Sequence, residues 1–176
     1  MDIKIDLPLT AEKVAGLKAG DTVRLSGIIY TARDAAHKRL IAALDANEPL
    51  PVELQDATIY FAGPCPAPPG RPIGSAGPTT SGRMDAYSPC LMRQCGLRGM
   101  IGKGERNAAV VEAMQECHAI YFAATGGAGA LIARSITAAE VVAFEDLGPE
   151  AIRKLTVEDF PVIVAIDDKG GNLYNR

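Results

Sequence analysis

The chain has 176 residues, of which 48% are hydrophobic and 22% charged, a composition typical of a globular domain. Its formal net charge of −3 argues against nucleic acid as the main partner, because nucleic-acid binders usually present a basic face. No apolar run approaches the roughly 20 residues that span a bilayer, and the start, MDIKIDLPLT, does not resemble a signal peptide. We therefore expect a single domain over residues 1–176, located in the cytoplasm.

The first part of the chain alternates strand and helix patterns. Apolar and polar residues alternate over residues 1–9, which predicts a strand, and Thr10 is placed to cap a short helix. Residues 21–32 are rich in β-branched side chains and predict a second strand. Residues 33–48 contain no glycine or proline and predict a helix. Its apolar stripe consists of Ala36, Leu40, Ala43 and Leu44.

A third strand is predicted over residues 57–63, and it leads into a loop, residues 63–78, that is rich in proline and glycine. Long loops in compact domains are usually functional or disordered, and we favour function because this loop leads to an unusual motif, GPTTSGRMD. After the motif, the sequence predicts a helix capped by Ser88 and ended by Gly96, a strand within 97–104, and a helix over 105–117 whose inward residues are Ala109, Val110, Ala113 and Met114. A strand over 118–124 leads into a glycine-rich turn and short helix over 125–136, followed by a strand or edge strand over 138–146. The last predicted elements are a brief helix over 148–157 and a buried strand at Val162–Ile166, before a turn at Asp168–Gly171.

Strands that alternate with helices indicate an α/β fold whose sheet is at least partly parallel. In such sheets ligands bind outside the carboxyl ends of the strands, near the N-termini of helices. Four strand-to-helix junctions carry unusual polar or glycine residues: Arg33, Asp34 and His37 at the first, Thr79, Thr80 and Arg83 at the second, Lys103 between Gly102 and Gly104 at the third, and Thr125–Gly129 at the fourth. If these junctions share one edge, their cations, hydroxyls and glycine-rich turn converge there.

Each of these residues also has a purely structural interpretation. Arg33 can cover apolar surface with its aliphatic stem, and His37 can be a partner of Asp34, a core histidine or a ligand. Thr79 and Thr80 can be helix caps. The glycines on both sides of Lys103 are harder to explain structurally, because they let the backbone approach another group closely. The TGGAGA stretch lacks the features of a P-loop or a dinucleotide site and is a weak signal.

The cysteines, Cys65, Cys90, Cys95 and Cys117, form no CxxC pattern, and their spacing matches neither common ferredoxin arrangement. In a cytoplasmic protein they are expected to be reduced. We interpret them as small buried apolar residues, with Cys65 on a loop between prolines. An iron–sulfur site on this chain alone is therefore not the favoured interpretation.

The motif GPTTSGRMD places a cation, Arg83, about one turn after a predicted helix start, where free backbone N–H groups already favour negative charge. Several cations around one pocket suit a small dicarboxylate, because arginine pairs with carboxylate in a bidentate geometry. A strong base and a metal cage are missing from the sequence pattern. The sequence therefore predicts the anion-binding part of an active site and not the whole of it.

Five stretches resemble, in order along the chain, the β subunit of class I fumarate hydratase, the iron–sulfur-dependent fumarase, which is related to L-tartrate dehydratase. They are ARDAAHKR, GPTTSGRMD, GKG, TGGAGAL and EDFPVIVAIDDKGGNLY. The resemblance runs over nearly the whole chain. It implies the swivelling β/β/α fold of the fumarase C-terminal domain, an α/β fold with a mixed sheet flanked by helices.

The resemblance further implies a hydro-lyase of the tricarboxylic acid cycle that interconverts (S)-malate and fumarate plus water. A separate α subunit, or an N-terminal domain in fused versions, binds a [4Fe–4S] cluster through its own cysteines, and the open iron acts as a Lewis acid. By motif, Arg33, Arg83, Lys103 and Thr80 correspond to the substrate-binding residues of the family. Thr79 corresponds to a residue that performs acid/base catalysis with an aspartate of the other chain. A threonine hydroxyl is a poor base unless a neighbour activates it.

Two alternatives remain open beside fumarate hydratase. Gly82 and Asp85 within the motif resemble the fumarase version, whereas tartrate dehydratases carry a bulkier residue at the position of Gly82 and have longer β chains. The second alternative is an anion-binding or regulatory module without catalytic activity. The resemblance favours a hetero-oligomer with the α subunit, and no nucleic acid or membrane partner is expected.

Overall fold

The structure is a computed structural model that describes residues 2–64, 66–124 and 129–175. Its strands are β1 (Ile3–Asp6), β2 (Thr22–Thr31), β3 (Thr58–Tyr60), β4 (Gly99–Gly102), β5 (Ile120–Ala124), β6 (Ile136–Ala143) and β7 (Ile152–Ile166). Its α-helices are α1 (Ala11–Ala15), α2 (Asp34–Asp45), α3 (Ser88–Cys95), α4 (Ala108–Cys117) and α5 (Gly129–Ser135), and 3₁₀ helices lie at Ser81–Met84 and Glu145–Glu150. The strands form a seven-stranded mixed sheet in the order β1-β2-β3-β4-β5-β7-β6.

Strands β2 to β5 are parallel neighbours in the sheet. Tyr30 of β2 pairs with Ile59 of β3, and Met100 of β4 pairs with Tyr121 of β5. Strand β3 pairs with β4 in the same direction. The carboxyl ends of these strands therefore meet at one edge, as the alternation of strands and helices predicts.

The long strand β7 runs antiparallel to three partners, β2, β5 and β6. Because β7 pairs with β2 as well as with β5, the strands β2, β3, β4, β5 and β7 form a closed circuit of pairings. The brief helix predicted over residues 148–157 is wrong: a 3₁₀ helix ends at Glu150 and β7 starts at Ile152. Pairing with β2 on one side and β6 on the other outweighs the local helical preference of this segment.

Two apolar cores lie on the two faces of the sheet. One contains Leu25 of β2 and Phe160 of β7, with side chains from α1 and α5. The other contains Leu40, Met92 and Met114, from α2, α3 and α4 respectively. Neighbouring residues of one strand alternate between these cores, as the side-chain period of two requires. The fold is thus α/β, with a mixed sheet flanked by helices.

The local sequence signals fix most helix ends correctly. The Thr10 hydroxyl accepts a hydrogen bond from the backbone N–H of Lys13 at 3.2 Å, and Gly96 ends α3 in the left-handed region at φ 73°. Two details differ from the prediction. Ser88 is the first residue of α3 rather than its cap, which is Tyr87, and Ala109 of α4 is exposed rather than buried.

No helix within the described residues is long and apolar enough to cross a membrane. The cytoplasmic location stays a prediction.

Candidate functional site

The junctions after β2, β3 and β4 bring most of the predicted site residues to the carboxyl edge of the sheet. Arg33 is the residue before α2 and follows β2 almost directly. The backbone N–H of Thr79 donates to the carbonyl of Phe61, just after β3, at 2.7 Å. Thr80 forms an isolated parallel bridge with Lys103, the first residue after β4. The glycine-rich turn at residues 125–128 lies outside the described residues.

The proline-rich loop, residues 63–78, is attached to the protein core near its end. Ile73 is 5% exposed and Ala76 is 1% exposed, and both lie in the core that contains Tyr60. The hydroxyl of Tyr60, itself buried, donates to the carbonyl of Ala76. These contacts fix the backbone three residues before Thr79, so the loop delivers the threonine pair to the sheet edge in a defined position.

Asp34 lies between the side chains of Arg33 and Arg83. Its Oδ1 is 4.0 Å from Nε of Arg33, and its Oδ2 is 3.7 Å from Nε of Arg83. Both separations exceed a hydrogen bond, and among the described residues neither Nε of Arg33 nor Oδ1 of Asp34 has a hydrogen-bond partner. The carboxylate of Asp34 thus holds the two guanidinium groups near each other by charge, and the buried Nε of Arg33 is left without a hydrogen-bond partner among the described residues.

Gly63, which the sequence interpretation did not single out, makes room for Arg33. A Cβ atom at Gly63 would lie 3.0 Å from Cδ of Arg33 and 3.2 Å from the carbonyl oxygen of Pro149. The Arg33 side chain therefore packs across the backbone that follows β3. The only signal that the sequence offers for this role of Gly63 is its place where the predicted strand over 57–63 meets the proline-rich loop.

His37 is a core histidine rather than a partner of Asp34. Its side chain is completely buried, with the ring centroid 5.4 Å from that of Phe61 and 5.9 Å from that of Tyr87. Nδ1 lies 2.8 Å from the carbonyl oxygen of Arg33, and because a carbonyl only accepts, Nδ1 carries the proton. Burial lowers the pKa of His37 to about 4, so the ring is neutral near pH 7 and braces the backbone of Arg33.

Of the two glycines around Lys103, Gly102 is required by close packing, and the group that approaches it is Ser81. A Cβ atom at Gly102 would overlap Oγ of Ser81 and lie 2.8 Å from Cδ2 of Phe61. Gly104 has a positive φ of +87°, a conformation that favours glycine. The backbone N–H of Ser81 donates to the carbonyl of Lys103 at 2.9 Å. The Lys103 side chain itself is exposed at the edge.

A buried ion pair between Arg106 and Asp85 joins the GPTTSGRMD segment to the segment that carries Lys103. Nε of Arg106 donates to Oδ1 of Asp85 at 2.6 Å, and Nη2 donates to Oγ of Ser88 at 2.7 Å. The guanidinium carbon lies 5.1 Å from the ring centroid of Phe61 and 4.9 Å from that of Tyr121. Desolvation lowers the pKa of Arg106, and Asp85 opposes that shift.

Within residues 2–64, 66–124 and 129–175, no group of three or more histidine, cysteine, aspartate or glutamate side chains is placed to hold a metal ion. Cys90, Cys95 and Cys117 are free and half-buried, so they are less buried than the sequence interpretation expects. Burial is the main cause that raises the pKa of each thiol. Cys65 lies outside the described residues.

Comparison with known proteins identifies relatives over the whole chain. Residues 1–176 match the family described as fumarase C-terminus. Fumarate hydratase 2 of Leishmania major is 37% identical over 179 residues, which cover 99% of this chain and 32% of that protein. The anaerobic class I fumarate hydratase of Escherichia coli is 42% identical over 153 residues, which cover 86% of this chain and 28% of that protein.

A shorter relative is similar over nearly its own full length. This protein of Methanocaldococcus jannaschii, provisionally named L(+)-tartrate dehydratase subunit beta, is 39% identical over 173 residues, covering 96% of this chain and 89% of that protein. The chain thus spans about a third of the length of the two fumarate hydratases.

The buried histidine makes the stability of the fold depend on pH. The unfolded chain protonates His37 at its ordinary pKa of about 6.5, whereas the native protein does so only at about 4. Because the unfolded state binds more protons in this window, the free energy of unfolding falls as the pH decreases from 7 to 5, by about 2 kcal/mol from this residue. Urea unfolding should show that His37→Asn loses this component, while the exposed control His118→Asn retains it. An identical pH dependence in His37→Asn and wild type would contradict the assignment.

Two arginine–aspartate pairs of equal length allow the buried ion pair to be tested against an exposed one. Nε of Arg106 lies 2.6 Å from Asp85, and Nε of Arg24 lies 2.6 Å from Asp2, but only the first pair is buried. Asp85→Asn leaves an uncompensated buried cation and should lower the free energy of unfolding by about 3–5 kcal/mol. Asp2→Asn should leave the free energy of unfolding close to that of the wild type, because solvent screens an exposed pair. Equal losses in urea unfolding would show that burial of Arg106 carries no such penalty.

Proposed function

Because the chain belongs to the fumarase C-terminus family, we propose that it is the β component of a class I hydro-lyase that interconverts (S)-malate and fumarate plus water. The observation that carries the proposal is the placement of Arg33 and Arg83 on either side of one carboxylate, at the edge where Lys103 also follows its strand. In this proposal residues 1–176 act as one domain. The closed circuit of strands, with an apolar core on each face, supports the swivelling β/β/α architecture.

The substrate is a four-carbon dicarboxylate in this proposal. Arg33 and Arg83 each bind a carboxylate through guanidinium donors, and Lys103 adds a third positive charge. Thr80, whose backbone pairs with that of Lys103, contacts the bound substrate through its hydroxyl. Its neighbour Thr79 acts as the acid/base residue, together with an aspartate of a partner chain that activates its hydroxyl.

The proposal requires a partner that supplies the rest of the active site. The chain spans about a third of the fused fumarate hydratases, and the relative of similar length is named a subunit beta. We therefore propose a hetero-oligomer with an α subunit. The cofactor is a [4Fe–4S] cluster bound by that subunit, since the described cysteines of this chain form no group of three or more metal-binding side chains.

L-tartrate dehydratase is the second candidate, and the M. jannaschii relative favours it. A Cβ atom at Gly82 would meet only the carbonyl oxygen of Glu105, at 4.0 Å, so the fold accepts a bulkier residue there. Residue 82 can therefore differ between the two enzymes without a change in fold, and glycine supports the fumarate assignment. An anion-binding module without catalysis is the third candidate.

One experiment separates the three candidates. The chain is produced anaerobically together with its α subunit, and the purified complex is assayed with fumarate, malate and L-tartrate. Preferred turnover of fumarate and malate supports the proposal, and preferred turnover of tartrate supports the second candidate. Failure of any cluster-bearing protein to co-purify, with no activity towards any of these substrates, would leave the anion-binding module.

The three cationic side chains proposed to bind substrate should be needed for activity and not for folding. In the complex, Arg33→Ala, Arg83→Ala and Lys103→Ala should each lower kcat/KM roughly 30-fold or more, a loss of about 2–5 kcal/mol of transition-state stabilisation, because a desolvated carboxylate loses a charged partner. Arg39→Ala is the matched control: Arg39 lies on α2 but pairs with the exposed Asp146. The control should keep wild-type kinetics. Wild-type kinetics in all three site variants would contradict the assignment.

Thr79 and Thr80 should differ in the kinetic constant that they control. Thr80 occupies the N-cap position of the 3₁₀ helix but makes no capping hydrogen bond through its side chain, so a capping role has no support there. Thr79→Ala should lower kcat by roughly 10²–10⁴ at an unchanged melting temperature, the scale of a lost acid or base. Thr79→Ser should retain activity, and Thr80→Ala should raise KM more than it lowers kcat. A Thr79→Ala complex that melts early and turns over normally would rule out catalysis by Thr79.

A further inference from the structure

Lys103 is exposed at the sheet edge, so the place from which its ammonium group reaches out depends on the backbone turn that carries it. We propose that the hydroxyl of Tyr121 is the positioning group of Lys103: it fixes the turn on which the lysine stands. The proposal rests on the substrate-binding role assigned to Lys103. Tyr121 lies on β5 and is completely buried, so in this proposal it acts only through this turn.

Two hydrogen bonds of Tyr121 close a small network around the turn. Its hydroxyl lies 2.8 Å from the carbonyl oxygen of Gly104 and 2.7 Å from Oγ of Ser81. The carbonyl can only accept, so Tyr121 donates to Gly104 and accepts from the Ser81 hydroxyl. The backbone N–H of Ser81 donates in turn to the carbonyl of Lys103 at 2.9 Å. Tyr121 therefore holds the residue after the lysine and, through Ser81, the lysine backbone itself.

The ring of Tyr121 is fixed independently of its hydroxyl. The side chain is completely buried in the core that faces α2, α3 and α4, and the Arg106 guanidinium stacks on the ring with its carbon 4.9 Å from the centroid. Substitution by phenylalanine keeps this packing and removes only the hydroxyl. The variant thus isolates the two hydrogen bonds from the rest of the contacts.

The Tyr121 hydroxyl binds this turn at its most flexible residue, Gly104. Gly104 adopts a positive φ of +87°, and glycine is the residue with the greatest backbone freedom. Without the hydroxyl, the Gly104 carbonyl and the Ser81 hydroxyl lose their partner, and the turn can shift. A shift of about 1 Å in a substrate-binding group can cost about 100-fold in rate. Loss of the Tyr121 hydroxyl should therefore affect catalysis more than it affects folding.

The test is a double-mutant cycle in the complex with the α subunit. Tyr121→Phe should lower kcat/KM about 10- to 100-fold, and in a Lys103→Ala background the same change should have little further effect. Tyr60→Phe is the matched control, because Tyr60 is equally buried and its hydroxyl also donates to a backbone carbonyl, that of Ala76. Any kinetic effect of Tyr60→Phe should be the same with and without the Lys103 side chain.

Amide hydrogen exchange in the complex gives a second readout that does not depend on activity. The backbone N–H groups of Lys103 and Gly104 should exchange faster in Tyr121→Phe than in wild type or in Tyr60→Phe. Wild-type kinetics for Tyr121→Phe, or an equal loss in the Lys103→Ala background, would overturn the proposal. Normal activity of Lys103→Ala alone would instead overturn the substrate-binding role, and faster exchange in Tyr121→Phe would still support the positioning of the turn.

Discussion

The buried ion pair between Arg106 and Asp85 is the interaction on which the rest of the candidate site depends. Asp85 ends the motif that carries the threonines and Arg83, while Arg106 follows the Lys103 turn by three residues, so the pair joins two segments that are distant in sequence. A buried guanidinium is costly unless it is paired and hydrogen-bonded. Arg106 meets that requirement through Asp85 and Ser88, and the faces of Phe61 and Tyr121 add favourable contacts to its charge.

A charge held in this way fixes geometry more than it adds stability. Separating Arg106 from Asp85 costs free energy, so arrangements in which the two segments move apart are disfavoured. An apolar contact tolerates small shifts more easily. The site cations differ from this pair in exposure: the side chain of Arg33 is 27% exposed and that of Arg83 is 58% exposed. The protein thus places a rigid, fully paired arginine under the site and keeps incompletely paired arginines at its surface, where an anion can reach them.

The sequence predicts the layout of the site but not its support. The alternation of strands and helices is sufficient to place Arg33, Thr80 and Lys103 at one sheet edge, because parallel strands share their carboxyl ends. Arg106 could not be identified in the same way, because an arginine shortly after the GKG stretch at 102–104 looks in the sequence like an exposed residue. The helix predicted over 148–157 fails for a related reason: β7 is stabilised by strands that are far away in sequence. Contacts of this kind leave no local pattern.

The exposure of the cations also bears on why the proposed enzyme needs two components. Two opposite unit charges 4 Å apart attract by about 1 kcal/mol in bulk water and by several times more when solvent is excluded. A half-exposed Arg83 therefore holds a carboxylate weakly while one side of the site faces solvent. A partner surface that covers this side excludes solvent and so strengthens the attraction between each cation and a bound carboxylate. On the proposed function, the β component contributes a pre-arranged set of charges, and closure by the α subunit makes that set effective.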